Sequence, residues 1–93
     1  MINMAEYYKI NSEEITYRII DNQAVILNLK TGNYYSLNET GTFIWGLLQN
    51  RISVEDLANR VVEEFEIDIK SALHDTKLLL KDLISEKMIR QEK

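Results

Sequence analysis

The 93-residue chain contains no cysteine and no proline, and it has only three glycines and one histidine. Without cysteine there is no disulfide framework, thiolate zinc site, iron–sulfur cluster or cysteine nucleophile. The lack of proline and the scarcity of glycine argue against long linkers and disorder. The chain is therefore expected to fold as one compact unit, and its small size limits the apolar surface that it can bury.

Acidic side chains outnumber basic ones by fifteen to eleven, which gives a formal net charge of −4. A net negative charge repels nucleic acid and anionic membranes. No segment approaches the roughly eighteen consecutive apolar residues of a membrane span, and the start of the chain, MINMAEYYKI, lacks the basic and apolar regions of a signal peptide. These features predict a soluble cytoplasmic protein that binds neither nucleic acid nor membrane. A monomer or a weak dimer is expected.

Three strands are predicted in the first half of the chain. Glu13–Ile20 (EEITYRII) and Gln23–Leu29 (QAVILNL) are rich in β-branched residues, and Asp21-Asn22 between them suits a hairpin turn. A second turn contains Gly32, after which Asn33–Leu37 is predicted as a short third strand. Residues 1–12 are predicted to be an N-terminal arm, and residues 13–93 to be the folded domain.

Three helices are predicted to follow the strands. Asn38, Ser53 and Asp68 are suitable N-cap residues, and each precedes a segment with apolar residues at helical spacing. The first helix is expected to end near residue 50 and the third near residue 87, with Met88 and Ile89 closing the core. This order predicts an α+β fold of the winged helix-turn-helix type, with a three-stranded antiparallel sheet followed by three helices.

Residues that could perform chemistry are scarce. The single histidine, His74, falls on the polar side of the third helix, where a solvated role is the common one. Glu63, Glu64 and Glu66 lie opposite the apolar stripe of the second helix, as solvated carboxylates do. The sequence also lacks a glycine-rich phosphate loop and a Ser-His-Asp set. It therefore predicts no catalytic residue, no metal site, no cofactor and no enzyme activity.

DNA binding is the usual function of a winged helix, and the charges argue against it here. The basic residues of the third helix are offset by acidic ones on the same helix, whereas a DNA-reading helix needs a basic surplus. The two sets are Lys70, Lys77 and Lys81 against Asp75, Asp82 and Glu86. A DNA-binding winged helix and a structural docking subunit of a biosynthetic enzyme remain the alternative functions.

The predicted third strand has the properties of an open sheet edge. Asn33–Leu37 carries no proline, lysine or other charge, so an extended peptide could add to it as a further strand. Tyr34 and Tyr35 point to opposite faces, and the residues alone leave open which of them enters the core. They also leave open whether Tyr7–Ile10 covers this edge. Trp45 lies off the apolar stripe of the first helix, and packing is the favoured interpretation over recognition.

Three segments together resemble a known family. TGNYYSLNETGTFIWGLL, ISVEDLANRVVEEFEID and HDTKLLLKDLISEKMI are similar to the pyrroloquinoline quinone biosynthesis protein D (PqqD) family, whose members are precursor-peptide recognition elements for ribosomally synthesised and post-translationally modified peptides. The likeness covers about residues 14 to 90. Two positions depart from the family pattern: Thr76 stands where an aliphatic residue is usual, and Lys87 stands where glycine often ends the helix.

The resemblance implies a winged-helix-like domain that catalyses nothing and binds the leader segment of a precursor peptide. Such a protein presents the leader to a modifying enzyme or a leader peptidase, in a lasso-peptide or quinone-cofactor pathway. The leader is expected to add along the third strand and to lie against the third helix. The binding residues implied are Asn33, Tyr34, Tyr35, Ser36 and Leu37 on the strand, and Ala72, Asp75, Thr76 and Leu79 on the helix.

Overall fold

The computed structural model of the protein describes residues 3–92, which form two small antiparallel sheets and three helices. One sheet has the strand order β2-β3-β4 and the other has the order β5-β1-β6. The predicted α+β class is confirmed. The elements in chain order are β1 (Tyr7–Ile10), β2 (Ile15–Ile20), β3 (Gln23–Asn28), β4 (Tyr34–Ser36), α1 (Glu39–Leu47), β5 (Ile52–Ser53), α2 (Val54–Phe65), α3 (Ile69–Ser85) and β6 (Ile89–Glu92).

The first sheet is the predicted meander. Strands β2 and β3 pair from Ile15↔Asn28 to Ile20↔Gln23. Asp21 and Asn22 have φ of 50° and 62°, the left-handed conformation that a two-residue type I′ hairpin requires. The third strand is confirmed but is shorter than predicted, since only Tyr34–Ser36 is extended and paired with β3.

The second sheet is absent from the sequence-based prediction. Strand β1 lies inside the predicted N-terminal arm, and it pairs with β5 on one side and with β6 on the other. Tyr8 and Ile10 from this strand are buried, at 3% and 6% exposed. The interpretation of residues 1–12 as an arm outside the domain is therefore wrong for Tyr7–Ile10. The alternative in which this segment covers the third predicted strand is also wrong, because the segment belongs to the other sheet.

The helix starts are confirmed. The side chains of Asn38, Ser53 and Asp68 each accept a hydrogen bond from the backbone N–H three residues later, at 2.8, 3.1 and 2.7 Å. The hydrogen bonds that Asp68 accepts hold the pKa of its carboxyl below the usual value. Helices α1 and α3 end slightly earlier than predicted, at Leu47 and Ser85. Within residues 3–92, no helix combines the length and the hydropathy needed to cross a membrane.

The core lies between the two sheets and the three helices. Trp45 is fully buried in it, and its ring packs edge-to-face on Tyr17 with the ring centroids 5.4 Å apart. Met88 and Ile89 are also buried, at 0% and 3% exposed. Both the packing interpretation of Trp45 and the closing role of Met88 and Ile89 are confirmed.

A buried hydroxyl joins α1 to the first sheet. The N–H of Ala24 donates to Oγ1 of Thr42 at 2.8 Å, and that hydroxyl in turn donates to the carbonyl of Leu37 at 3.4 Å. The N–H of Leu37 donates directly to the carbonyl of Ala24 at 2.8 Å. The hydroxyl of Thr42 thus replaces one backbone hydrogen bond of the ladder between β3 and Leu37, the residue that follows β4.

A buried amide joins the first sheet to the end of α3. Nδ2 of Asn28 donates to the carbonyl of Glu86 at 3.0 Å, while Oδ1 of Asn28 accepts from the N–H groups of Lys30 and Thr31. The same side chain therefore closes the turn before β4 and fixes that turn against the helix. Together, Thr42 and Asn28 hold both ends of β4 in place relative to α1 and α3.

Thr42 and Thr76 form a matched pair of buried threonines with opposite hydrogen bonding. Oγ1 of Thr76 is fully buried and has no hydrogen-bond partner among the described residues. We expect Thr76→Val to raise the free energy of unfolding by about 1 kcal/mol, because it removes an unpaired buried hydroxyl. Thr42→Val should instead lower it by about 1–3 kcal/mol, because the N–H of Ala24 loses its acceptor. Urea denaturation of both variants measures the difference, and two changes of the same sign would contradict the prediction.

Candidate functional site

Strand β4 is an open edge of its sheet, since it pairs only with β3 among the described residues. The direct bonds from Asn28 to Asn33 and from Leu37 to Ala24 set the alternation of the ladder. By that alternation the backbone groups of Tyr35 face β3, and those of Tyr34 and Ser36 face away from the sheet. The edge therefore offers two N–H donors and two carbonyl acceptors to a partner.

A groove of about 390 Å³ runs beside this edge. One wall is β4 and the first turn of α1, and the other is the exposed flank of α3. A Cβ added at Gly41 would lie 3.2 Å from Cδ2 of Leu37, so the glycine permits the close approach of α1 to the end of β4. The groove is lined by Tyr35, Ser36, Leu37, Asn38, Thr40, Gly41, Ile44, Asp75, Leu79 and Asp82.

Tyr34 and Tyr35 have different environments. Tyr35 is half-buried and packs against the core, and its hydroxyl donates to Oδ2 of Asp82 at 2.9 Å. Burial, and secondly the bond to Asp82, raise the pKa of Tyr35 above its ordinary value. Tyr34 is 73% exposed and shares the opposite face of the sheet with Leu27. The tyrosine that enters the core, and that lines the groove, is therefore Tyr35.

The wall formed by α3 carries two of the four helix residues implied by the resemblance. Asp75 is exposed and Leu79 is half-buried, and both line the groove. Asp82, which is not among the binding residues implied by the resemblance, lies two helical turns after Asp75 on the same side. The groove therefore combines an apolar contact at Leu79 with two carboxylates.

The other two helix residues are not accessible. Ala72 and Thr76 are both 0% exposed, in the stripe of α3 that also contains Leu80 and Leu83. The implied contact of Ala72 and Thr76 with a bound peptide stays a prediction, and in this structure both side chains are enclosed by the core. The helical spacing gives the direction of these positions correctly, but the neighbouring elements cover them.

The ends of the predicted strand contribute differently from its centre. Asn33 lies outside β4, and its carbonyl accepts from the N–H of Asn28 at 2.8 Å. Leu37 is 4% exposed, and its N–H is already bonded to Ala24. Only Tyr34 and Ser36 therefore present backbone groups to a partner, while Leu37 forms part of the groove floor.

Several lining residues were not identified from the sequence. Asn38, Thr40, Gly41 and Ile44 come from the cap and first turns of α1. The signal available was the position of the N-cap directly after the strand, which brings the start of the helix to the same edge. Among residues 3–92, no three His, Cys, Asp or Glu side chains are grouped so that they could hold a metal ion.

Comparison with known proteins gives one family match. The family model described as coenzyme PQQ synthesis protein D (PqqD) matches residues 23–89. That span includes β4, α1 and all of α3, and hence every residue that lines the groove. No curated protein sequence matches this chain.

Similar solved structures include two complexes. TbiB1 in complex with the TbiA(beta) leader peptide is 27% identical, with a TM-score of 0.81, and the match covers 88% of this chain and 94% of that one. A lasso peptide synthetase B1 complexed with the leader peptide is 26% identical, with a TM-score of 0.78 and coverage of 89% and 96%.

A third similar structure shows the fold alone. It is the solution structure of the PqqD truncation of Methylobacterium extorquens PqqCD, which represents a functional and stand-alone recognition element. It is 14% identical to this chain, with a TM-score of 0.79 and coverage of 97% and 95%. At this identity the likeness extends only to the arrangement of strands and helices.

The contact between Tyr35 and Asp82 predicts a pH dependence. Because the pKa of Tyr35 is raised in the folded state, its contribution to stability is complete below the ordinary value of about 10 and is lost as the pH rises through the folded value. Above about pH 10, the free energy of unfolding of the wild type should therefore fall more steeply than that of Tyr35→Phe. Chemical denaturation across this range measures both, and parallel curves would contradict the prediction.

Proposed function

This chain belongs to the PqqD family, and from that premise we propose that it binds the leader segment of a ribosomally synthesised precursor peptide without catalysing a reaction itself. It presents the leader to a modifying enzyme or a leader peptidase, in the cytoplasm where such precursors are made. The observation that carries the proposal is the open edge of β4 beside a groove with an apolar and acidic wall.

The leader adds to the sheet as a further strand. The outward backbone groups of Tyr34 and Ser36 provide up to four hydrogen bonds, which fix the register of the added strand without reading its sequence. Tyr35 takes part through its side chain alone, since its backbone N–H and C=O groups face β3. Its ring forms part of the groove wall on which leader side chains lie.

Sequence specificity comes from the groove. Leu79, together with the floor formed by Leu37 and Ile44, accepts an apolar leader side chain. Asp75 and Asp82 favour a lysine or arginine of the leader nearby, because both carboxylates lie at the groove. Such an exposed ion pair contributes about 1 kcal/mol or less, so it selects the leader more than it holds it.

Of the two complexes with leader peptides, the lasso peptide synthetase B1 supports a lasso-type pathway as the setting, and TbiB1 supports leader binding. Both are 26–27% identical to this chain, whereas the PqqD truncation is 14% identical. A pathway of the quinone-cofactor type remains within the proposal. Nucleic acid is not among the proposed partners, because the flank of α3 beside β4 carries carboxylates that would repel phosphates.

Strand addition predicts a specific pattern of amide protection. On binding a synthetic leader from the precursor encoded beside this protein's gene, the amides of Tyr34 and Ser36 should exchange with solvent at least about tenfold more slowly. The amide of Tyr35 should change little, because it already faces β3. Hydrogen exchange followed by NMR measures all three. Equal protection of the three amides, or none, would be inconsistent with strand addition at this edge.

Two adjacent leucines of α3 provide a matched test of leader binding at the groove. Leu79 lines the groove, whereas Leu78 is 51% exposed and lies outside it. Leu79→Asp should weaken leader binding by at least about tenfold, since a buried apolar contact becomes a desolvated charge. Leu78→Asp should leave the affinity within about twofold of the wild type. Fluorescence titration of the leader measures both affinities.

The comparison requires that both variants remain folded. Leu79 packs partly against the core, so circular dichroism and the unfolding midpoint of each variant are measured first. If Leu79→Asp loses structure, Leu79→Ala paired with Leu78→Ala provides the same comparison with a smaller change. If folded variants at Leu78 and Leu79 lose the same affinity for the leader, the leader does not bind in this groove.

A further inference from the structure

Helix α3 has a second charged side, which is basic, whereas the side that faces the β4 groove is acidic. Positions 75, 82 and 86 project towards one flank of the helix, and positions 74, 77 and 81 project towards the other, about 130° away at 100° per residue. The first flank carries Asp75, Asp82 and Glu86, and the second carries His74, Lys77 and Lys81. The mixed charge of the helix sequence is therefore a segregation of acid and base onto two sides.

The basic side borders an open cleft of about 740 Å³, larger than the groove at β4. The cleft lies between α3 and the inner face of the sheet formed by β5, β1 and β6. Its apolar surface comes from Tyr8, Leu78 and Ile84, of which Leu78 is 51% and Ile84 38% exposed. Two large aliphatic side chains are thus left accessible beside cationic groups.

The charges of the cleft are not compensated within the described part of the chain. Neither Lys77 nor Lys81 forms an ion pair with any residue from 3 to 92. Glu6 provides the one carboxylate among the lining residues described, and it accepts a hydrogen bond from the hydroxyl of Tyr8. Burial, and secondly this bond, raise the pKa of Tyr8 to about 12, so the phenol remains a neutral donor to Glu6 at ordinary pH. The cleft is therefore locally positive on a protein of net charge −4.

A second open sheet edge adjoins the cleft. Among the described residues β6 pairs only with β1. The bond from the N–H of Asn11 to the carbonyl of Met88 sets the ladder, so the backbone groups of Ile89 and Gln91 face the open edge. The side chain of Gln91 also lines the cleft. Backbone anchors and a side-chain pocket are thus combined, as they are at β4.

We propose that this cleft is a second docking site, which binds an extended acidic segment of another protein with apolar side chains between its carboxylates. The carboxylates would lie near Lys77 and Lys81, and the apolar side chains would contact Leu78 and Ile84. Charge distinguishes this occupant from the leader, because the β4 groove on the other side of α3 favours a basic ligand. Since the two sites lie on different sides of the helix, both can be occupied at once. The proposal does not depend on leader binding.

The test uses the full chain labelled with ¹⁵N and two synthetic peptides, one with alternating glutamate and leucine and one with lysine in place of every glutamate. The glutamate peptide should shift the amide signals of Lys77, Leu78, Lys81 and Gln91 and leave those of Tyr34–Ser36 unchanged. The lysine peptide should not shift the signals of the cleft. No shift at the cleft, shifts confined to β4, or an equal response to both peptides would overturn the proposal.

Charge reversal provides a matched control. Lys81→Glu should weaken binding of the glutamate peptide about tenfold, whereas Arg60→Glu, the same charge change on the exposed surface of α2, should change it less than about twofold. Equal effects of the two variants would mean that binding depends only on the net charge of the protein, which would overturn the proposal. Single-stranded DNA that competes for the same signals more strongly than the peptide would overturn it in favour of nucleic acid. The affinity for the leader, measured in parallel, should be unchanged by Lys81→Glu. Failure of the second docking site can therefore be distinguished from failure of leader binding.

Discussion

The bridge made by the hydroxyl of Thr42 determines the geometry on which the groove depends. It accepts from the N–H of Ala24 and donates to the carbonyl of Leu37, so α1 is bonded into the ladder between β3 and the end of β4. Asn38 then caps the helix directly after the strand. With Asn28 fixing the other end of β4 to α3, the edge strand cannot shift independently of either groove wall. The binding surface is therefore positioned by buried polar bonds and not by its own short ladder.

Helix α3 separates two surfaces because its buried stripe lies between two charged flanks. Ala72, Thr76, Leu80 and Leu83 fix the helix against the core, and this leaves the acidic flank beside β4 and the basic flank beside β6. The helix is thus a shared wall, with a sheet edge available on each side. Such an arrangement suits a protein that brings two polypeptides together, since each site can select a ligand of the opposite charge.

Local signals in the sequence predicted the parts of the fold that local interactions determine. The caps at Asn38 and Asp68 depend on contacts within three residues, and they were predicted correctly. The sheet of β1, β5 and β6 joins segments from both ends of the chain, and β5 has only two residues, so no periodicity reveals it. At the site, helical spacing placed Asp75 and Leu79 beside Thr76 but could not show that neighbouring elements enclose Thr76.

The shortness of β4 explains why an open edge is tolerated and why the groove is needed. Three paired residues provide little template for association between copies of the chain. A leader that adds to this strand, as proposed, would be limited to about four backbone hydrogen bonds, each contributing a net of about 0.5–1.5 kcal/mol. Micromolar affinity requires about 8 kcal/mol beyond the cost of ordering the peptide, which these bonds do not supply. In the proposed mode of binding, burial of leader side chains against Leu79 and Tyr35 provides the remainder, so affinity and sequence selection would reside in the same contacts.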